Sequence, residues 1–458
     1  MQPRYYLDPF GCVKNQVDAE NMMAHLDRAG WFSADDAADA DLVIVNSCGF
    51  IEDAKRESID AVMEWRRLYP GKKILLAGCL AQRYSGDLAV SMPEVDGFFG
   101  TDDVTKIVDA VGSLGLGPPS EGEAGPALPT GDRPLLSLPG SAYVKISEGC
   151  DNDCSYCAIP LIRGRLRCRS VGDIVDECEG LLARGVRELC VIGQDIGAYR
   201  SGDSGLPELL DAIAGLPGDF WVRLLYMHPD HFPLQILDLM ERDRRFLPYF
   251  DIPFQHASGP VLSAMNRRGS AAAYLALVKT IRDRLPAAVI RTTFLVGFPG
   301  ETEADFAALL DFQERLRPDW LGCFSYSREE DTVAYAMPGQ VARKTALARK
   351  RGVEEAQVRI TEGNMERFVG RTLDIILEER LDDESGDDTD EGGDLWLGRL
   401  YCHAPEVDGA AIVTGATDES GKALGLGEVR MEAGDVLPCK VVARRGFVLE
   451  VSLSRPPS

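Results

Sequence analysis

The chain has 458 residues, 45% hydrophobic and 27% charged, which leaves enough apolar material for sizeable cores and excludes both a single small module and disorder throughout. Forty-nine Lys plus Arg stand against 73 Asp plus Glu, a formal charge of −24, whereas a protein held to its partner mainly by phosphate contacts would lean the other way. No apolar run approaches the roughly 18 residues of a membrane span and the N-terminus lacks an apolar signal core, so we read a soluble, cytosolic α/β protein whose twelve cysteines are free for metal or redox work.

Residues 1–112 read as a small α/β domain with a parallel sheet. Apolar runs at 4–7, 42–45 and 73–77 alternate with helical patterns, the first being NQVDAENMMAHLDRAG with a stop at Gly30. Cys12 follows RYYLDPFG, Cys48 follows LVIVNS and Cys79 follows KILLAG, each just past the end of an expected strand. Adjacent parallel strands lie about 4.8 Å apart, and loops leaving their carboxyl ends converge on the crevice where open α/β sheets bind ligands. A lone cysteine there is more often a small buried hydrophobe. Three at equivalent places favour a shared metal site.

Residues 113–135 are Gly/Pro-rich with little apolar content, and read as a linker. From 136 to 368, strand-like runs recur at 142–146, 188–192, 221–225, 249–252, 289–296 and 321–324, with intervals long enough for helices. One interval, DIVDECEGLLARG, places Ile174, Cys178, Leu181 and Leu182 on one helical face. Six such units predict a partial (β/α)6 barrel whose site lies at the C-terminal strand ends.

The first of these runs leads into Gly149-Cys150-Asp151-Asn152-Asp153-Cys154-Ser155-Tyr156-Cys157. Thiolates are the soft ligands of iron–sulfur clusters and zinc, and three within eight residues let one loop wrap a metal. Structural zinc takes a fourth protein ligand, and none follows at a suitable distance before Cys168; an open coordination position suits chemistry. Cys178 and Cys190 fall on apolar faces, and Cys323, Cys402 and Cys439 within strand patterns, so these five read as core. His228, His231 and His256 fall near strand ends, where a hydrogen-bonded rim histidine is the commoner identity.

From 369 to 458 the pattern changes to short strands between Gly-rich turns, TLDIIL, LWLGRLYC, AAIVTG, VLPCKVVA and FVLEVSL, the signature of a small all-β, OB-like barrel. Inside it, residues 382–394 form an acidic block expected to be a solvated loop.

The spacing Cys150-x-x-x-Cys154-x-x-Cys157, with Tyr156 before the last cysteine, resembles the radical S-adenosylmethionine signature. GCVKNQVDAE from Gly11, NSCGF from Asn46 and GCLAQRY from Gly78 resemble the N-terminal domain of the methylthiotransferases, and DIPFQHASGPVLSAMNR, RTTFLVGFPGETEADF and FSYSREEDT resemble further blocks of that family. The C-terminal barrel resembles a TRAM domain. Cys157-Ala158-Ile159-Pro160, Ile162-Arg163-Gly164 and Ala404-Pro405-Glu406-Val407-Asp408-Gly409 look like the RimO branch, which modifies an aspartate of the small-subunit ribosomal protein S-twelve. Ile196-Gly197 and Leu161 depart from the usual pattern.

The resemblance implies that Cys150, Cys154 and Cys157 hold a 4Fe-4S cluster whose open iron binds S-adenosylmethionine, and that Cys12, Cys48 and Cys79 hold a second 4Fe-4S cluster. A β-carbon C–H bond of aspartate has no acidity for a side-chain base to exploit, which is why a radical route is needed. Gln194 and Arg291, near strand ends, are candidates for cofactor binding, with structural polar capping as the alternative. The implied partners are the basic ribosomal protein, a one-electron donor such as flavodoxin or ferredoxin, and a sulfur source; no membrane, and RNA binding that does not dominate. A tRNA adenosine methylthiotransferase is the nearest competing reading and a non-catalytic iron–sulfur carrier the one from another class. Residues 369–458 hold nine basic and nineteen acidic residues, a net of −10, which favours a basic protein over RNA.

Overall fold

The computed structural model describes residues 2–117, 131–381, 395–417, 423–424, 426 and 429–454. The acidic block 382–394 and the middle of the expected linker lie outside the described residues.

The N-terminal sheet has five parallel strands in the order Phe32–Ser33, Arg4–Pro9, Leu42–Ser47, Lys73–Gly78, Gly97–Phe99. Leu42–Ser47 is buried along its whole length because its alternating side chains meet helices on both faces. Leu42 and Ile44 pack with Met22 and Leu26 of the helix Val13–Arg28 and with Ile107 and Val111. Val43 and Val45 pack with Val62 of Glu52–Leu68 and Leu80 of Cys79–Ser91. The expected stop at Gly30 falls just past the first helix, where this glycine takes φ +83. Two strands, Phe32–Ser33 and Gly97–Phe99, were too short to register as periodic runs.

The second sheet has six parallel strands in strict chain order, Ser141–Lys145, Glu188–Ile192, Trp221–Leu224, Phe246–Asp251, Val289–Val296 and Trp320–Ser325. Sequential order with no switch point is the topology of a partial barrel. The pleat sorts each strand: Leu189 and Val191 join the core beneath the outer helices, while Cys190 and Ile192 face the other way with Tyr143, Tyr249 and Val289. Cys178, Cys190 and Cys323 are buried, as are Cys402 and Cys439 in the last domain.

The C-terminal strands pair in the order Leu395–Leu400, Thr372–Leu381, Val436–Arg445, Val448–Ser454, Ala411–Thr417, and contact between the first and last closes a five-stranded barrel. This small barrel seals the N-terminal end of the larger one. The Trp320 indole donates to the Cys402 carbonyl at 2.7 Å, the Tyr401 hydroxyl to Ala287 at 2.9 Å, and Tyr249 to Asp408 at 2.5 Å.

At the centre of that floor is a buried ion network. Glu188, the first residue of its strand, accepts from Arg223 at 2.7 Å and from Arg399 of the small barrel at 2.7 Å, while Arg399 also donates to Ser141 and pairs with Glu378. Burial alone would push the Glu188 carboxyl up, but Arg399 and Arg223 hold it down to about 2. Its stabilising contribution is therefore complete above about pH 4.5 and lost as pH falls toward 2. Removing one partner of a buried pair leaves a charge without compensation. We expect Arg399→Met to cost about 3–5 kcal/mol and Glu188→Gln to flatten the acid limb of stability between pH 4.5 and 2, both read by thermal unfolding across pH.

Candidate active site

Each N-terminal cysteine stands where a parallel strand hands over to a helix. Cys12 is the N-cap of Val13–Arg28 in an extended conformation, its carbonyl accepting from Asn15 N at 2.8 Å and Gln16 N at 3.1 Å. Cys48 follows Leu42–Ser47 and donates its N–H to Ser58 Oγ at 3.0 Å. Cys79 opens the helix Cys79–Ser91. The loops come close enough to require glycine: Gly11 has φ +92 and a side-chain carbon there would lie 3.0 Å from Cys48 Cβ, and at Gly78, φ +91, it would lie 2.6 Å from the Ser47 carbonyl. Asn15 ties the three loops together, its amide donating to Phe10 O at 2.8 Å and Ser47 O at 3.2 Å, its carbonyl facing Cys79 Sγ at 3.7 Å.

The barrel triad lies on the loop after Ser141–Lys145, with Cys150 buried and Cys154 and Cys157 half-buried. The loop is pinned from several sides. Cys150 N donates to Gly164 O at 3.2 Å, Ser155 N to Met265 O at 3.1 Å, and Ser155 O accepts from Ala334 N at 2.8 Å. Arg267 donates to the Pro253 carbonyl at 2.6 Å and to the Tyr156 hydroxyl at 3.3 Å, while the Tyr156 ring meets Phe298 edge-on. Asn152 donates to Asp195 at 2.9 Å.

The donor chemistry of both triads fits an iron–sulfur cluster. Burial pushes the Cys48 thiol up to about 11 and those of Cys79 and Cys157 up to about 12, so three thiolates share either pocket only against a cationic centre. Among the described residues neither triad brings three sulfurs within 4.8 Å of one another, whereas thiolates on one tetrahedral zinc, with bonds near 2.3 Å, sit about 3.8 Å apart. All six thiols are free.

The two triads meet across the domain boundary. A five-residue helix, Ile159–Arg163, begins two residues after Cys157, and Ala158 and Ile162 pack directly on Cys79. Arg163, 2% exposed, donates to Cys79 Sγ at 3.1 Å and to Asp18 and Glu148 at 2.9 Å each. Lys145 closes the network by pairing with the same two carboxylates. The Cys12 thiol lies below its ordinary value: desolvation raises it, and Lys14, Arg163 and the backbone N–H groups of Asn15 and Lys14 together outweigh that.

The remaining expected site residues separate. Gln194 lies 3.4 Å from Glu148, two residues before Cys150, and among the described residues its buried side-chain carbonyl has no partner. Arg291 points into the barrel instead, donating to Asp251 at 3.2 Å and lying 3.4 Å from Asp408 of the small barrel, off the axis a hydrogen bond needs. His256 is buried, accepting from Ser258 N at 3.0 Å. His231 is bonded to Asp195 at 2.6 Å, and Asp195 also accepts from the backbone of Gly197 and His228. Cys168 is half-buried and accepts from Arg200 N.

Family models match residues 4–100 (Uncharacterized protein family UPF0004), 144–312 (Radical SAM superfamily) and 369–452 (TRAM domain). A protein of Treponema denticola described as ribosomal protein uS12 methylthiotransferase RimO is 43% identical, covering 97% of this chain and 99% of its own. The chain belongs to the RimO methylthiotransferase family. A RimO of Thermosipho africanus is 39% identical over 94% of this chain and 97% of its own. Among solved structures, the radical S-adenosylmethionine methyltransferase TsrM of Kitasatospora setae superposes with a TM-score of 0.53 over 70% of this chain and 73% of its own at 16% identity, a likeness of fold.

Sequence reasoning gave no role to Lys145, Glu148 or Asp195 of this site, and it noted Asn15, Asp18 and Arg163 only as parts of blocks. All but Asp195 are ionisable or amide side chains within about six residues of a cysteine motif, a signal that becomes meaningful only once the partner domain is placed. Replacing Gly78 by Ala forces a side chain into the Ser47 carbonyl and displaces Cys79. We expect this variant to fall from about eight irons per reconstituted chain to about four, with Gly86→Ala, which has open space around it, keeping the full complement.

Proposed function

We propose that this chain methylthiolates a side chain of ribosomal protein uS12, the substrate named for its RimO relatives, using S-adenosylmethionine and two 4Fe-4S clusters. The observation that carries the reading is the pair of three-thiol sites at the C-terminal ends of two parallel sheets, joined by the helix Ile159–Arg163. Cys150, Cys154 and Cys157 would hold one cluster and Cys12, Cys48 and Cys79 the other, each with one iron left open by the count of ligands. When bound, the barrel cluster supplies the electron that opens S-adenosylmethionine to radical chemistry, which an unactivated C–H bond requires.

The chain's own residues provide position and insulation. The unpartnered Gln194 carbonyl, buried next to the barrel loop, offers an acceptor to the ammonium or a hydroxyl of S-adenosylmethionine. Asp195, fixed by two backbone N–H groups, holds Asn152 and so the middle of the cysteine loop. Arg291, engaged with Asp251 and Asp408, acts from below as support for the barrel interior. The working division is 1–112 for the second cluster, 136–368 for radical chemistry and 369–458 for docking, with 113–135 as the connection. A one-electron donor and a sulfur source complete the cytoplasmic reaction.

Docking follows from charge. Of the nineteen acids between 369 and 458, eight fall in 382–394, a stretch with no Lys or Arg, so this block supplies −8 of the net −10 that would attract a basic protein.

Converting Cys150, Cys154 and Cys157 together to Ala should lower reconstituted iron from about eight to about four per chain; full retention contradicts the assignment. In a deletion strain, mass spectrometry should find uS12 lighter by about 46 Da, the mass of CH3S less a hydrogen; an unchanged uS12 with altered tRNA would assign the tRNA reaction instead. Binding to purified uS12 should weaken with added salt and survive nuclease.

A further inference from the structure

We propose that Arg163 is a positioning residue that sets the reduction potential of the cluster held by Cys12, Cys48 and Cys79, with Asp18 opposing it. The inference rests on the cluster assignment made above and concerns how that site is tuned.

The geometry is specific. Arg163 ends the short helix that follows the barrel triad, yet its guanidinium reaches into the N-terminal domain, with Nη2 at 3.1 Å from Cys79 Sγ and 3.4 Å from Asn15 Oδ1. Its other terminal nitrogen, Nη1, is shared between Asp18 and Glu148 at 2.9 Å each. The planar fork is what allows one side chain to serve a sulfur and two carboxylates at once, and lysine has no equivalent. Other charged groups around this site are Lys145, which pairs with Asp18 and Glu148, Lys14, whose ammonium lies 3.4 Å over the Tyr226 ring, and Glu57, whose charge acts on Cys48. Among the described residues Arg163 is thus the cation hydrogen-bonded to a ligand sulfur of this site, as Arg267 is to Cys154 of the barrel triad at 3.9 Å.

An N–H donated to a ligand sulfur draws electron density from the cluster and favours its reduced form, and hydrogen bonds and net charge are the ordinary levers on such potentials. The lever is strong here because the group is buried, where charges act with little screening. Asp18 works against it, since its negative charge lies on the same guanidinium. Arg163 belongs to the barrel domain and its sulfur partner to the N-terminal domain, so the potential of one site depends on a residue six positions beyond the last cysteine of the other.

The test uses the full-length chain carrying Cys150→Ala, Cys154→Ala and Cys157→Ala, which isolates the N-terminal cluster, with the midpoint potential followed by electron paramagnetic resonance during redox titration. In that background Arg163→Gln should move the potential to a more negative value, Arg163→Lys should lie between, and Asp18→Asn should move it to a more positive one. Opposite displacements are the mark of electrostatic tuning, because two merely structural defects would not be ordered by charge. An unchanged potential in Arg163→Gln, or Arg163→Gln and Asp18→Asn moving the same way, overturns the proposal. If Arg163→Gln sheds its iron, Arg163→Lys and Asp18→Asn decide, and failure of Asp18→Asn to move positive overturns it. Absence of any cluster in the parent chain overturns the cluster assignment instead.

Discussion

The arrangement depends on one electrostatic contact, the guanidinium of Arg163 buried between Asp18, Glu148 and the sulfur of Cys79. Two parallel sheets present their C-terminal loops to the same gap, and loops at such ends carry polar backbone that must be satisfied as well as positioned. The gap is bridged again at its edge, where Glu329, from the loop after the last barrel strand, accepts from Lys55 and Arg83 of the N-terminal domain at 3.0 and 2.7 Å. The same loop reaches the cysteine segment through Ala334 and Ser155. Hydrophobic contact crosses the boundary too, Cys79 against Ala158 and Ile162 and, on the other side of the first helix, Val13 and Val17 against Tyr143, Ile192 and Leu225 of the barrel, and the ion pairs add direction to that apolar contact where the cysteine loops meet.

How far this was legible in the sequence differs by level. The apolar runs predicting parallel strands are matched by strands at 4–9, 42–47 and 73–78 and by six more in the barrel, because strands covered on both faces are continuous in apolar residues and need no partner to be recognised. Thiol spacing was equally readable, since the chemistry of a soft ligand is carried by residue type. The ionic network was not. Arg163 and Asp18 are 145 positions apart, and Glu188 and Arg399 are 211, so each of these residues, taken alone, is indistinguishable from a solvated surface charge.

Arg291 shows the same limit from the other side. Its place inside the fifth barrel strand was visible, and a cationic side chain near a cofactor site invites a ligand role. In the structure its neighbours Asp251, Asp408 and Tyr249 occupy it from below. Asp408 belongs to the stretch Ala404 to Gly409, which reads in the sequence as a mark of the branch and is in the fold part of the floor of the catalytic barrel.

That floor has a consequence for the order in which the molecule can be made. Glu188 and Arg223 are fixed in the barrel interior with no exposure, and Arg399, the second guanidinium on Glu188, emerges from synthesis more than 170 residues later. Until then the barrel carries an open lower end and a Glu188 carboxylate with only one of its two arginines in place. The last domain therefore acts on the growing chain as a late closing step, and the catalytic barrel reaches its final packing only when nearly all of the polypeptide is available.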